Sequence, residues 1–298
     1  MAPRFSILLP THNRDDVIGY AIRSCLWQTE SDFELLIVGD GCTDQTAEIV
    51  SQFKDERIRW FDLPKAPLSG YANRNVALRE ARGDFIAYAQ HDDVFFPDHL
   101  TLLAEVAETT EAYWCYSRPL WVEAGVLAPF AIDLTREAEL AFFKITNHIP
   151  SSCVMHTRES LERVGYWPED VPRCADWVCW NRMIDAYGPG RLAYCREPTA
   201  LHFRANWRKG PEYDSPAVAS LLRIAQEYNW WPEALRCPVA PGLPEQASAF
   251  DVISSGGVSY RDSVRHAVRE LYERVSWLEV RDGSLHDLVM TSASGDEP

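Results

Sequence analysis

The chain has 298 residues, 46% hydrophobic and 24% charged, which suits one large or two smaller globular domains and excludes a disordered chain. Its net charge of −15 argues against a nucleic-acid backbone or an anionic membrane as the main partner. Eight scattered cysteines (25, 42, 115, 153, 174, 179, 195 and 237) form no C-x-x-C pair, so reduced thiols in a cytoplasmic protein are expected, without structural zinc.

Phe5 to Leu9 is predicted as a buried strand ended by Pro10, too short for a signal peptide. No apolar run approaches the roughly 18 residues of a membrane span. Asn13 is expected to cap a helix through Ile18, Ala21, Ile22 and Leu26. Phe33 to Val38 reads as a second buried strand, Thr43 as the cap of a helix with Ile49 and Val50, and Arg57 to Phe61 as a third strand. Strands alternating with helices imply βαβ units and a mostly parallel sheet. No G-x-G-x-x-G follows the first strand, which disfavours a dinucleotide site.

The stretch from Gly70 to Leu100 organises the rest. Gly70 opens a helix with Ala72, Val76, Leu78 and Ala81 on its apolar face, and Gly83 is the expected left-handed stop. Phe85 to Ala89 is a strand buried on both faces, ending in Gln90-His91-Asp92-Asp93, and Pro97 restarts a helix. Two carboxylates at the end of a buried strand call for a cation, and Mg²⁺ is commonly held by one or two carboxylates plus substrate phosphates. The plainer reading is that Asp92 and Asp93 cap the following helix and face water.

Beyond Leu100, antiparallel strands are expected in Tyr113 to Val122 and a helix from Asp133 to Lys144. Arg158 to Val164 is a short helix stopped by Gly165, and a longer one starts at Asp176. Leu192 to Tyr194 and Ala200 to Phe203 are short strands. Residues 205–215 look like a mobile loop, residues 232–247 are Pro-rich, and Pro216 to Tyr228 and Asp262 to Val280 read as helices. The stripe of Val264, Ala267, Val268, Leu271, Val275 and Leu278 offers a face for packing on the rest of the chain or for a homodimer contact. Thr291 to Pro298 is an expected disordered tail.

Five stretches, SILLPTHNR (6–14), LLIVGDGCTDQT (35–46), GYANRNVALREARGDFIAYAQHDD (70–93), RESLERVGYWPED (158–170) and CADWVCWNRM (174–183), resemble the family-2 inverting glycosyltransferases of GT-A fold. The resemblance implies an α/β fold: a Rossmann-like, mostly parallel sheet with helices on both faces, plus a C-terminal helical extension. The implied organisation is a catalytic domain over 1–205, with a nucleotide-sugar half (1–105) and an acceptor half (106–205), followed by the extension 206–298.

By this resemblance Pro10, Thr11, His12 and Asn13 meet the nucleotide, His12 standing where an aromatic ring is common. Asp40 would accept from a pyrimidine N–H, with Gly39 replacing the family's first acidic residue. Arg74 would fork to ribose or phosphate oxygens. Gln90-His91-Asp92-Asp93 stands for the family's Asp-x-Asp-Asp, so Gln90 and His91 line the donor site. Asp92, supported by Asp93 and His202, would ligate a divalent cation, Mn²⁺ or Mg²⁺. Arg204 is a further diphosphate contact. Asp176 matches the family's base, Ala175 replacing its acidic neighbour, and Trp167 or Trp207 would line the acceptor site. Each has a plainer reading: a loop histidine at 12, a solvated arginine at 74, a helix N-cap at 176, a strand-end histidine at 202, core tryptophans.

The function implied is sugar transfer from a nucleotide-diphosphate donor, uridine-linked, to a hydroxyl acceptor with inversion, in glycan or surface polysaccharide synthesis. One rival is a sugar-nucleotide nucleotidyltransferase, disfavoured because Pro10-Thr11-His12-Asn13 is not its glycine-rich, Arg-bearing loop. Another is a catalytically silent relative, since Gly39, Gln90 and Ala175 each remove a carboxylate.

Overall fold

The structure, a computed structural model, describes residues 2–130, 132–205, 216–227 and 229–274. Its strands are β1 (Phe5–Thr11), β2 (Phe33–Asp40), β3 (Ile58–Leu63), β4 (Phe85–Tyr88), β5 (Val94–Phe95) and β6 (Trp114–Ser117). They continue with β7 (Leu120–Glu123), β8 (Val126–Pro129), β9 (Val154–Thr157), β10 (Leu192–Cys195) and β11 (Ala200–Phe203). The chain divides into two compact units, the first running to Pro119 and resuming over Asp133–His202, the second comprising Leu120–Ile132 and the part from Phe203 onward.

The first unit is an α/β layer structure. Seven strands form one sheet in the order β10-β6-β9-β4-β1-β2-β3. All neighbours are parallel except β9, which runs antiparallel to β4 and β6. Every residue of β1 and β2 is buried, as expected of strands covered on both faces. On one face Ile18–Leu26, Thr46–Gln52 and His99–Thr109 pack over Phe5, Ile7, Leu9, Leu35 and Ile37. Leu8 and Leu36 alternate with these, point the other way and are equally buried. The helix Tyr71–Arg79 packs against β1 and β2, and Arg158–Val164 against β9 and Ala175–Tyr187. Strand order reverses between β1 and β4, the switch point beyond whose carboxyl ends ligands bind in such sheets.

Three local expectations are corrected. β1 runs through Pro10, with Pro10↔Val38 and Thr11↔Gly39 in register. The Ala89 N–H donates to the Leu8 carbonyl, so Pro10, two residues on, also turns its backbone toward β4, which pairs no further than Leu8↔Tyr88. The missing N–H therefore removes no ladder bond. Gly83 is not a left-handed stop, because the helix ends at Arg79 and Gly83 lacks a positive φ. A Cβ there would lie 2.4 Å from the Phe5 carbonyl carbon and the Ser6 nitrogen, so glycine lets the chain pass against β1. The buried face of Tyr71–Arg79 is Tyr71, Asn73, Asn75, Ala77 and Leu78, while Val76 is exposed.

In the second unit β7 and β8 form an antiparallel hairpin. The Trp231 indole donates to the Leu127 carbonyl at 3.2 Å and the Tyr272 hydroxyl to that of Pro129 at 2.9 Å. The helix Glu245–Arg274 is interrupted at Gly257, whose φ of 52° no helix accommodates. Val264, Ala267, Val268 and Leu271 are buried within the single chain, so this stripe is not an open dimer face. Val275, Leu278 and the expected tail lie outside the described residues. Among the described residues, no helix is long and apolar enough to cross a membrane.

Candidate active site

One side of the candidate site is assembled where β1, β2 and β4 end. Thr11, the last residue of β1, is buried, and His12 and Asn13 beyond it are exposed. Asn13 takes a left-handed φ of 50° and ties this loop to the one after β2: its Oδ1 accepts from the Thr43 N–H at 2.8 Å. It does not cap the following helix, whose N-cap is Val17. At the end of β2 the buried Asp40 accepts from the Ala66 N–H at 2.8 Å and from the Asn73 amide at 2.7 Å, and pairs with Lys65. Burial would raise the Asp40 carboxyl, but Lys65, Ala66 and Asn73 together hold it below the usual carboxylate range. Asp40 thus joins β2 to the loop before Tyr71–Arg79, and a bound base would compete with Lys65 for its outer oxygen.

Gly39 has a packing reason. A Cβ there would lie 2.4 Å from the Trp60 ring, so the indole on β3 takes the space of the acidic side chain that Gly39 lacks.

The acidic tip is enclosed. Asp92 is 7% exposed and Asp93 2%, and the helix that follows starts at His99 with Asp98 as N-cap, so neither is a solvated cap. One oxygen of Asp92 lies 3.6 Å from an Arg14 guanidinium nitrogen and 3.8 Å from His91 Nε2. Asp93 meets His202 on β11: Nδ1 is 2.8 Å from Oδ2 and 3.1 Å from Oδ1. The Gln90 amide donates to Ser151 Oγ. Buried carboxylates require such partners. Among the described residues no three His, Cys, Asp or Glu side chains form a group that could hold a metal ion. The oxygen and imidazole donors at this tip are the Asp92 carboxylate and the Asp93–His202 pair; a hard cation that shares substrate oxygens needs only one or two protein carboxylates.

A second wall descends from Arg74. Its Nη1 donates to the Ser69 carbonyl at 2.7 Å, and its guanidinium lies 5.0 Å from the Tyr71 ring centroid and 5.5 Å from that of Trp167. The Trp167 indole donates to Tyr88 Oη at 3.4 Å, and that hydroxyl lies 2.6 Å from His156 Nε2. His156 Nδ1 lies 2.9 Å from the Thr157 carbonyl, which can only accept, so Nε2 accepts from Tyr88. Burial lowers His156 to about 4, so it is neutral. Trp167 is 4% exposed and backs Arg74 with most of its ring covered; Trp207 lies outside the described residues.

Asp176 is the second residue of the helix Ala175–Tyr187, whose N-cap is Cys174 at φ 56°. Asp176 is therefore not the cap; its Oδ1 accepts from the Trp177 N–H at 2.8 Å and the residue is partly exposed. Burial pushes the Tyr88 phenol well up, and the charge of Asp176 adds to it. Arg204 belongs to the second unit and donates to both carboxylate oxygens of Glu123, at 3.0 and 3.2 Å.

Sequence reasoning missed Arg14, Lys65, Asn73, Asn75, Tyr88 and His156. Asn75 donates to the Trp167 carbonyl and to Glu169, both at 2.8 Å. Asn73 and Asn75, two apart in a helix whose apolar pattern is poor, were the available signal.

Comparison with known proteins bears on the family and the fold. The chain is 32% identical over 175 residues to the UDP-Glc:alpha-D-GlcNAc-diphosphoundecaprenol beta-1,3-glucosyltransferase WfaP of Escherichia coli, covering 58% of this chain and 68% of that protein. It spans less than half the length of the first curated relatives it matches. Its fold matches S. aureus TarS 1-349 in complex with UDP-GlcNAc, with a TM-score of 0.56 at 18% identity over 91% of this chain and 92% of that one. It also matches the mannosyltransferase PcManGT of Pyrobaculum calidifontis in complex with GDP-Man and Mn2+, with a TM-score of 0.52 at 15% identity over 99% and 80%. The sheet and its covering helices are thus of GT-A type. The model of glycosyl transferase family 2 matches residues 6–165, more than half of the sequence, and the chain belongs to that family.

Proposed function

We propose that this family member transfers a sugar from a uridine-diphosphate donor to a hydroxyl acceptor with inversion of the anomeric centre, in the assembly of a glycan or surface polysaccharide. The observation that carries the reading is the enclosed acidic tip beyond β4, where Asp92 and Asp93 are buried and Asp93 meets His202, beside the β1/β4 switch point. The similarity to WfaP, a UDP-Glc:alpha-D-GlcNAc-diphosphoundecaprenol beta-1,3-glucosyltransferase, supports a uridine-linked donor and a glycan acceptor.

On this reading Pro10, Thr11, His12 and Asn13 border the base with Asp40, and the exposed His12 ring offers a stacking face. Arg74, stiffened by Tyr71 and Trp167, forks to ribose or phosphate oxygens. Gln90 and His91 line the same pocket. Asp92 and His202 would hold a divalent cation, Mn²⁺ or Mg²⁺, which when bound supplies neutralisation of the charge growing on the diphosphate. Asp176 removes the proton of the acceptor hydroxyl as its oxygen bonds to the anomeric carbon and the bond to the diphosphate breaks. One displacement inverts the centre, and no sugar–enzyme bond forms.

A panel of nucleotide sugars, each incubated with the protein and Mn²⁺ or Mg²⁺, tests this. The expected result is release of free uridine diphosphate from one donor, with no pyrophosphate consumed. Absence of both turnover and nucleotide binding across the panel would leave the silent-relative reading standing.

A further inference from the structure

We propose that Asn75 is a positioning residue: it clamps the backbone of Trp167 so that the indole stands beside the Arg74 guanidinium and sets the aim of that cation. This rests on the reading that Arg74 meets the nucleotide, and it moves Trp167 from the acceptor side to the donor side. Asn75 is 1% exposed. Its side chain accepts from the Trp167 N–H at 3.2 Å, donates to the Trp167 carbonyl at 2.8 Å and donates to Glu169 Oε1 at 2.8 Å. A primary amide offers two N–H donors and one carbonyl acceptor, and here all three serve one loop.

That loop arrives in a costly conformation. Gly165 and Tyr166 are left-handed in succession, at φ 88° and 63°. Glycine enters that region freely, but an aromatic residue is strained there and stays only where its surroundings fix it. Asn75 supplies the fixing, and Arg79 adds to it, 3.4 Å from Glu169 and 5.2 Å from the Tyr166 ring centroid. The consequence falls on Arg74. Tyr71 lies beside it, three residues back on the same helix, and Trp167 comes from the clamped loop. The two ring centroids are 6.1 Å apart, with the guanidinium 5.0 and 5.5 Å from them. A cation held against two rings, with Nη1 on the Ser69 carbonyl, has given up most of its rotamers on folding. A bound nucleotide then has less ordering to impose.

The guanidinium reports this arrangement without any nucleotide. In ¹⁵N-labelled protein the Arg74 Nε–H resonance, assigned by its loss in Arg74→Gln, should be displaced by the currents of the two rings. Asn75→Ala should return it toward the position of a free arginine. Calorimetry with uridine diphosphate tests the consequence. Asn75→Ala should weaken binding about 3- to 30-fold, the scale of one cation–π contact. In the Arg74→Gln background the same substitution should cost less than about twofold, because no cation is left to aim. Trp167→Leu keeps the backbone clamp and removes only the ring; it should give the same pattern, and it replaces Asn75→Ala if that variant does not fold. A resonance unmoved in both variants would overturn the proposal. So would an equal loss of affinity in the two backgrounds, which is what a merely structural role produces. If the resonance moved as expected but Arg74→Gln bound uridine diphosphate like wild type, the clamp would stand and the placement of Arg74 on the nucleotide would fall.

Discussion

The two sides of the catalytic unit hold their polar groups in different ways. Around the ends of β1, β2 and β4 the buried groups are charged and matched to a partner of opposite charge or to a histidine: Asp40 with Lys65, Asp92 with Arg14, Asp93 with His202. Behind Arg74 the wall is neutral, an ordered relay from Trp167 through Tyr88 and His156 to the Thr157 carbonyl. A charged pair can exchange one partner for a bound ion, whereas a neutral relay keeps its shape whatever ion arrives. The first suits a site for diphosphate and cation, the second a fixed support.

Acid is the strongest way to break the neutral side. Burial holds His156 of the relay down to about 4, and His99, outside the relay and bonded to Thr199, to about 3. In the unfolded chain both rings take up protons near pH 6.5. Their neutral burial therefore leaves stability intact above about pH 6.5 and lowers it steadily as pH falls toward the folded values. By about pH 5 each ring should cost on the order of 2 kcal/mol. Urea unfolding midpoints should fall between neutral pH and pH 5, and equal midpoints would refute the relay's neutrality.

Smaller perturbations sharpen the contrast. Gly39→Asp, which restores the family's carboxylate, should destabilise by about 1–3 kcal/mol through collision with Trp60. Trp60→Ala in the same protein should relieve that collision, as thermal unfolding would report. Tyr88→Phe removes the partner of two buried groups and should cost about 1–3 kcal/mol by urea unfolding, with uridine diphosphate affinity unchanged by calorimetry. Arg14→Gln should act only on the charged side. Removing a cation that faces Asp92 should tighten Mn²⁺ binding in the nucleotide complex by about threefold, and weaker binding would contradict the exchange.

Much of this architecture was legible from local pattern. Phe5 to Leu9 and Phe33 to Val38 read as strands because both faces are apolar, and Arg158–Val164 with its left-handed Gly165 was readable to the residue. Pairings between distant residues were not. His202 and Asp93 are 109 residues apart, and nothing near either names the other. Asn73 passed without notice because its partner, Asp40, lies 33 residues earlier. Gly39 read as a lost carboxylate until Trp60 gave its reason, and Gly83 read as a stop because its close approach to Phe5 is tertiary. Motif likeness supplied the candidate roles of Asp92 and Asp176, which no spacing alone distinguishes from helix caps.

The most direct test is Asp176→Asn assayed on the donor that wild type accepts. Loss of the proton acceptor should lower acceptor-dependent release of uridine diphosphate by about 10²- to 10⁴-fold, with nucleotide affinity by calorimetry the same as wild type. Transfer at the wild-type rate in that variant would show that another group deprotonates the acceptor.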